Sequence, residues 1–215
     1  SSDGSFLSFS TSQNNIGKLN ILDISTKKIT KIYNLPNISE QPLISSYNFF
    51  GSDINSLIVS SQFTVDSGIA NRVFTTIDGG VNWKEVYYSV NNKNIITNFV
   101  SFVPYDKNKI YIGNGNGSEG VYGGLLISRD GGKTFTEKLS GSVVSVIEFN
   151  PNNSNDIYVG TGLSFGVAPE NLYHSADGSN TWTNENIAFG ANGILNNINA
   201  IKFNPHDNNQ IIVLE

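Results

Sequence analysis

Carboxylates, amides and aromatic rings are the side chains of this sequence with the best chance of doing chemistry. Asp66, Glu119 and Glu170 each lie in a polar stretch between two β-rich runs. Two carboxylates on either side of a glycosidic bond can act as its acid and its base. Acidic residues in polar loops are also simply solvated, and both readings stand at this level. Phe63, Tyr122 and Phe165 fall in the same stretches, beside Asn114, Asn116 and Asn171. A ring can stack on a pyranose face while amides pair with hydroxyls; the same rings could instead cap a core between sheets.

Other chemistries lack their parts. There is no Cys, which excludes disulfides, thiolate zinc sites and thiol catalysis. His174 and His206 are the only histidines and stand apart from each other, so a His-dependent triad or a His-rich metal site lacks its partners. Arg72 and Arg129 are the only arginines, too few for a three-guanidinium carboxylate clamp. The stretch GNGNGSEG from Gly113 lies between two strands, without the helix N-terminus that a phosphate cradle uses. Calcium on Glu119 and nearby carbonyls is the one metal option, and the expectation is no metal and no cofactor.

Composition narrows the partners. A formal charge of -5, from 13 basic and 18 acidic residues, offers no field for nucleic acid or an anionic membrane. No run of 18 apolar residues is present, so no membrane span is expected. The first residues lack a signal-peptide pattern and the chain contains no Met, which reads as a processed product, a segment of something longer, or both. There are 31 Asn, and Asn-x-Ser/Thr sequons begin at Asn37, Asn116 and Asn152. Sequons arise by chance in so Asn-rich a chain, yet these sit in turn-like stretches and point to an extracellular or cell-surface location.

What must position these residues is a repeat. TIDGGVNW at 76 to 83, SRDGGKTF at 128 to 135 and SADGSNTW at 175 to 182 are three versions of one octet, with Asp78, Asp130 and Asp177 separated by 52 and 47 residues. The Asp carboxylate can accept backbone N–H groups of its own turn, Gly80 and Gly132 supply positive φ, and the closing Trp83, Phe135 and Trp182 pack over the hairpin. Ser179 replaces the second Gly in the third copy, so that turn must adjust or carry strain.

A second phrase precedes the octets. FVPYDKNKIYIG from Phe102, FNPNNSNDIYVG from Phe149 and FNPHDNNQIIVL from Phe203 place an aromatic eight residues before an apolar strand, and FFGSDINSLIVS from Phe49 keeps that spacing. The period is that of a four-stranded propeller blade. Each period holds four β-rich runs, here A to D, and no sustained helical periodicity. The expected fold is an all-β propeller of four-stranded antiparallel blades in a single domain: 6–35 without its A strand, 44–88, 98–139, 143–186, and the start of a fifth at 198–215, for 17 strands in all. The C to D turn of the first blade has lost the octet.

An open stack exposes apolar faces and unpaired edges. Remaining blades in further sequence, a partner chain covering the ends, or closure into a four-bladed ring would each resolve this, the first being the leading expectation.

The octets fit S/T-x-D-x-G-x-T/N-W/F and resemble the Asp-box, or BNR, repeat. The coupled phrase is similar to that of the propellers of family 74 xyloglucanases, sortilin-type receptors and the photosystem II assembly factor. The resemblance implies a propeller with its Asp-boxes on the outer edge, away from the ligand face, so the ligand face is expected on the B to C and D to A side. It implies no activity, because the group spans hydrolases, receptors and assembly factors. Too few arginines are present for a sialidase, and no stretch matches the catalytic segments of family 74. The leading expectation is therefore a non-catalytic exported module binding a glycan or a protein. Part of a β-glucan or xyloglucan hydrolase is the alternative, and a subunit of a surface assembly is the second.

Overall fold

A computed structural model describes the chain except residues 1–3, 15, 37–41, 117–119, 165–169, 188–194 and 205. Every regular element among the described residues is a β-strand. The first sheet holds β1 (Phe6–Gln13), β2 (Ile16–Asp23) and β3 (Lys28–Asn34). Two four-stranded sheets follow: β4 (Leu43–Phe50), β5 (Asp53–Val65), β6 (Gly68–Thr76) and β7 (Lys84–Asn91), then β8 (Ile96–Val103), β9 (Asp106–Asn116), β10 (Tyr122–Ser128) and β11 (Thr136–Lys138). The fourth sheet runs β12 (Val144–Asn150), β13 (Asn153–Ser164), β14 (Leu172–Ser175) and β15 (Thr183–Asn184). β17 (Ala200–Asn204) and β18 (Asp207–Leu214) form a fifth sheet of two strands.

All pairings are antiparallel, those of β1 to β15 and of β17 with β18 join strands consecutive in the chain, and β4, β8, β12 and β17 stand side by side in succession. That places the A strands of the second to fifth sheets around a common axis, which is the architecture of a β-propeller. The sheets behave as blades, and no closed ring forms among the described residues. One strand was not expected from sequence. β16 (Leu195–Asn197) pairs with β13 at Gly162–Ser164. β14 pairs with β13 only as far as Gly160, so this overhang has a free edge, and β16 satisfies its backbone groups.

The core lies between blades. Leu57, Ile58 and Val59 of β5 are all fully buried, because a central strand has a neighbouring blade against each face. Ile110, Tyr111 and Ile112 of β9 repeat the pattern. Each buried Leu, Ile or Val contributes on the order of 1.5–3 kcal/mol.

The three octets form the C to D turns as their residues require. Asp130 Oδ1 accepts the N–H groups of Lys133 and Thr134, each at 3.0 Å, and Oδ2 accepts the Thr134 hydroxyl at 2.7 Å. Asp78 takes Asn82 N–H at 2.9 Å, and Asp177 takes Thr181 N–H at 3.0 Å. The opening hydroxyl adds a second brace: Thr76, Ser128 and Ser175 Oγ accept N–H from Gly80, Gly132 and Ser179 at 2.9, 2.8 and 2.9 Å. The turn also docks on the start of its own B strand, since Gly79, Gly131 and Gly178 donate to Asn55, Asn108 and Asn155 O.

The closing aromatics reach further than their hairpins. Trp83 meets Tyr33 of the preceding blade edge-on at 6.4 Å, and Phe135 meets Tyr87 at 6.0 Å. Lysines tie each blade to the following one: Lys84 and Lys138 Nζ donate to Gly131 and Asn180 O at 2.7 and 3.0 Å. The first blade keeps the carboxylate device in a shorter turn, where Asp23 Oδ1 accepts Thr26 N–H at 2.8 Å.

Candidate functional site: the groove between the second and third blades

On the side opposite the octet turns, a groove of about 400 Å³ separates the second and third blades. Tyr87, Ser89 and Lys93 line one wall, and Asn114, Tyr122 and Glu137 the other. Its construction begins with asparagines. The D to A connection after β7 is pinned by Asn91, whose Oδ1 accepts Ile95 N–H at 2.7 Å while Nδ2 donates to Ile95 O at 3.0 Å. Asn71 donates to the same carbonyl at 2.8 Å and accepts Thr97 N–H at 3.0 Å. Thr97 Oγ1 donates to Asn114 Oδ1 at 2.9 Å, and Asn116 Nδ2 holds the Lys93 carbonyl at 2.7 Å. These bonds fix where Lys93 sits, with its ammonium 4.0 Å from the centre of the Tyr122 ring. At that distance a cation is attracted to the ring face.

Two consecutive glycines open the other wall. Gly123 and Gly124 have φ of 141° and 157°, and a Cβ would lie 2.4 Å from Asn114 O at Gly123 and 2.8 Å from Glu137 Oε1 at Gly124. Neighbouring backbone therefore excludes a side chain at Gly123, and the positive φ at both positions favours glycine.

Of the residues singled out by sequence, the structure brings Asn114 and Tyr122 to this groove, while Asn116 is outside its lining and pairs with Tyr122 across the strands. Phe63 is not in a loop: it lies within β5 opposite Ala70, its ring 5.5 Å from the Arg72 guanidinium. Asn171 is held inside the fourth blade, where its Oδ1 accepts Asn184 Nδ2 at 2.8 Å and its N–H meets Thr161 Oγ1 at 3.0 Å. Asp66 lies in the turn between β5 and β6. Glu170 precedes β14; one of its carboxylate oxygens is buried without a hydrogen-bond partner among the described residues, and burial, reinforced by Glu215, raises its pKa. Glu119 and Phe165 lie outside the described residues. Asp78, Trp83, Asp130, Phe135, Asp177 and Trp182 all belong to the turns on the opposite side.

Sequence reasoning missed Tyr87, Lys93 and Glu137, which act here only because two blades meet. It also read His174 as isolated. In the structure His174 Nε2 lies 2.7 Å from Asp156 Oδ1, Nδ1 lies 3.2 Å from Glu185 Oε1, and the ring stacks on Tyr158 at 4.3 Å. The register of three adjacent strands makes that cluster, and no spacing in the chain announces it.

A second cavity, of about 510 Å³, opens at the octet end. Phe50, Phe102, Pro104, Tyr105 and Phe149 dominate its lining, and its one carboxylate, Glu148, is bound by Lys202 Nζ at 2.7 Å. Phe102 and Phe149 are the repeat's own aromatics, and Phe102 packs edge-on against Phe50 at 6.0 Å, whereas Tyr105 is exposed.

The chain matches no family model and no curated protein. Among solved structures it is similar to an ancestral GH74 enzyme, with 20% identity and a TM-score of 0.58 over 79% of this chain and 21% of that one. The GH74 xyloglucanase from Xanthomonas campestris gives 12% identity and a TM-score of 0.47 over 97% of this chain and 41% of that one. YCF48 bound to D1 peptide gives 16% and 0.42 over 75% and 45%. The first likeness shows the β-propeller fold, and this chain spans less than half the length of each of the three.

Proposed function

We propose that this chain is part of an Asp-box β-propeller acting as a non-catalytic, exported module that binds a glycan or a protein. The observation that carries this reading is the groove itself, with two tyrosines in its walls and amide and charged groups at its rim. Such a mixture of apolar surface and a few placed polar groups is what ligand sites use. The carboxylates first considered for acid and base work, Asp66 and Glu170, belong to different blades and do not line it. Export is supported by the sequon at Asn152, an exposed position in the linker between β12 and β13 where a glycan has room. Leu7, Ile212 and Leu214 are 54%, 69% and 60% exposed on the first and last sheets, which supports further blades or a partner chain at both ends. The test is titration of the ¹⁵N-labelled protein with cellohexaose, xyloglucan oligosaccharides and short peptides. Amide shifts confined to Tyr87–Lys93 and Tyr122–Glu137 support the reading, and shifts elsewhere or none overturn it.

Glu170 favours a second reading, in which the chain is part of a polysaccharide hydrolase. A carboxyl group whose pKa is raised by burial is suited to donate a proton to a leaving group. Release of reducing ends from xyloglucan, abolished by Glu170→Gln, would establish it; no release would dismiss it.

A further inference from the structure

The three octet blades solve one local problem in different ways. Glu85, Glu137 and Asn184 occupy the same rung of the C to D ladder, opposite Phe74, Leu126 and Tyr173. Two residues earlier, on the C strands of the second and third blades and just before that of the fourth, stand Arg72, Gly124 and Asn171. In the second blade Arg72 Nη1 forms an ion pair with Glu85 Oε2, and the guanidinium lies 4.5 Å from the Tyr88 ring and 5.5 Å from that of Phe63. The fourth blade places two amides there, Asn184 Nδ2 donating to Asn171 Oδ1 at 2.8 Å.

The third blade alone leaves the pair incomplete. Glycine stands where the arginine would be, and the Glu137 side chain makes no hydrogen bond or ion pair among the described residues. Its carboxylate leans over Gly124 into the groove, as the 2.8 Å approach to the missing Cβ records. Aromatic surface is present here too, but it comes from Tyr122 and from Tyr87 of the neighbouring blade. Lys93 already occupies the Tyr122 face, so the ring wall left to a ligand is that of Tyr87.

We infer that this groove receives an arginine side chain of a partner protein, its guanidinium pairing with Glu137 as Arg72 pairs with Glu85. The inference rests on the groove being the binding site and names its ligand class. A planar guanidinium fits better than an ammonium, because it can meet a carboxylate with two N–H groups while a face lies on an aromatic ring. An oligosaccharide's hydroxyls can donate to the Glu137 carboxylate but bring no cation to pair with it, as Arg72 pairs with Glu85.

The experiment titrates the ¹⁵N-labelled protein with Ac-Gly-Arg-Gly-NH2, with its citrulline counterpart and with cellohexaose, following the amides of Gly124, Leu126 and Glu137. The arginine peptide is expected to move these amides in a saturable way, and the citrulline peptide to bind about tenfold more weakly for want of a charged pair. Glu137→Gln, an exposed substitution, should weaken the arginine peptide by a similar factor with an unchanged melting temperature. Glu85→Gln should leave its binding unaltered. Equal binding to Glu137→Gln, or no response to the arginine peptide, overturns the inference. If cellohexaose then moves the groove amides in both proteins, the binding reading survives without its cationic ligand; if no probe moves them, both fall.

Discussion

A carboxylate that accepts two backbone N–H groups is held in its charged form. Hydrogen bonds from Asn82 hold Asp78 down at about 2, and those from Thr181 do the same for Asp177, against an ordinary value of 3.8. Asp130 is lowered further, chiefly by Thr134. Since the folded values lie below the unfolded one, the unfolded chain takes up protons first as acid is added. The stabilisation is complete above the unfolded value and is lost as pH falls toward the folded ones. Melting temperature should therefore be flat above about pH 5 and drop between about pH 4 and 2. In Asp130→Asn that drop should shrink, because one titrating clamp is gone; a set of melts in steps of pH checks both.

Ser179 carries a second prediction at this scale. Its φ of 70° costs an L-residue roughly 1–2 kcal/mol, yet the side chain is fully buried and its hydroxyl lies 2.6 Å from that of Tyr111, itself buried. Ser179→Gly relieves the backbone but orphans the Tyr111 hydroxyl, at about 1–3 kcal/mol. The two effects nearly cancel, so Ser179→Gly should shift stability little on its own. Combined with Tyr111→Phe it should stabilise relative to Tyr111→Phe alone, a coupling of about 1 kcal/mol that a double-mutant cycle by chemical denaturation reads.

The octet hairpin of the third blade is also a spacer between blades, and its two glycines differ in role. Gly131 has φ of 71° and open space, since a methyl placed there would have Asn108 Oδ1 as its nearest neighbour, at 3.5 Å. Gly132 has φ of 80°, and a methyl there would lie 2.5 Å from Val86 Cβ of the preceding blade. Gly131→Ala should thus cost only the backbone strain, about 1–2 kcal/mol. Gly132→Ala adds overpacking, for roughly 2–5 kcal/mol in total, as measured by urea denaturation.

Legibility at this scale followed the same division. The turn chemistry of Asp78, Asp130 and Asp177 was readable because every partner lies within four residues. β16 was not, because its reason is an overhang of β13 more than thirty residues earlier. Nor was the position of Phe63 within β5, since the polar residues around it resemble a loop although all of Leu57–Val65 pairs with β6.

Across the whole molecule, stability is a sum over neighbouring blades. β5 and β9 have a blade on each side, whereas the first and fifth sheets have one neighbour each among the described residues. Amide exchange should be slowest in Leu57–Val59 and Ile110–Ile112 and at least tenfold faster in β1 and β18, because opening an end sheet exposes one interface where opening a central one exposes two. Uniform protection across all five sheets would contradict a blade-by-blade assembly.

The amino-acid order alone determined the propeller and the corner that repeats along it, because a carboxylate, two glycines and an aromatic ring interact within eight residues, and the period between corners fixes the size of a blade. Tertiary structure decided the groove. Tyr87 and Lys93 come from one blade and Tyr122, Gly124 and Glu137 from the next, so the site exists only in the angle between two sheets. The same is true of the missing arginine, whose absence becomes visible only when the rung shared by Glu85, Glu137 and Asn184 sets the three blades in register.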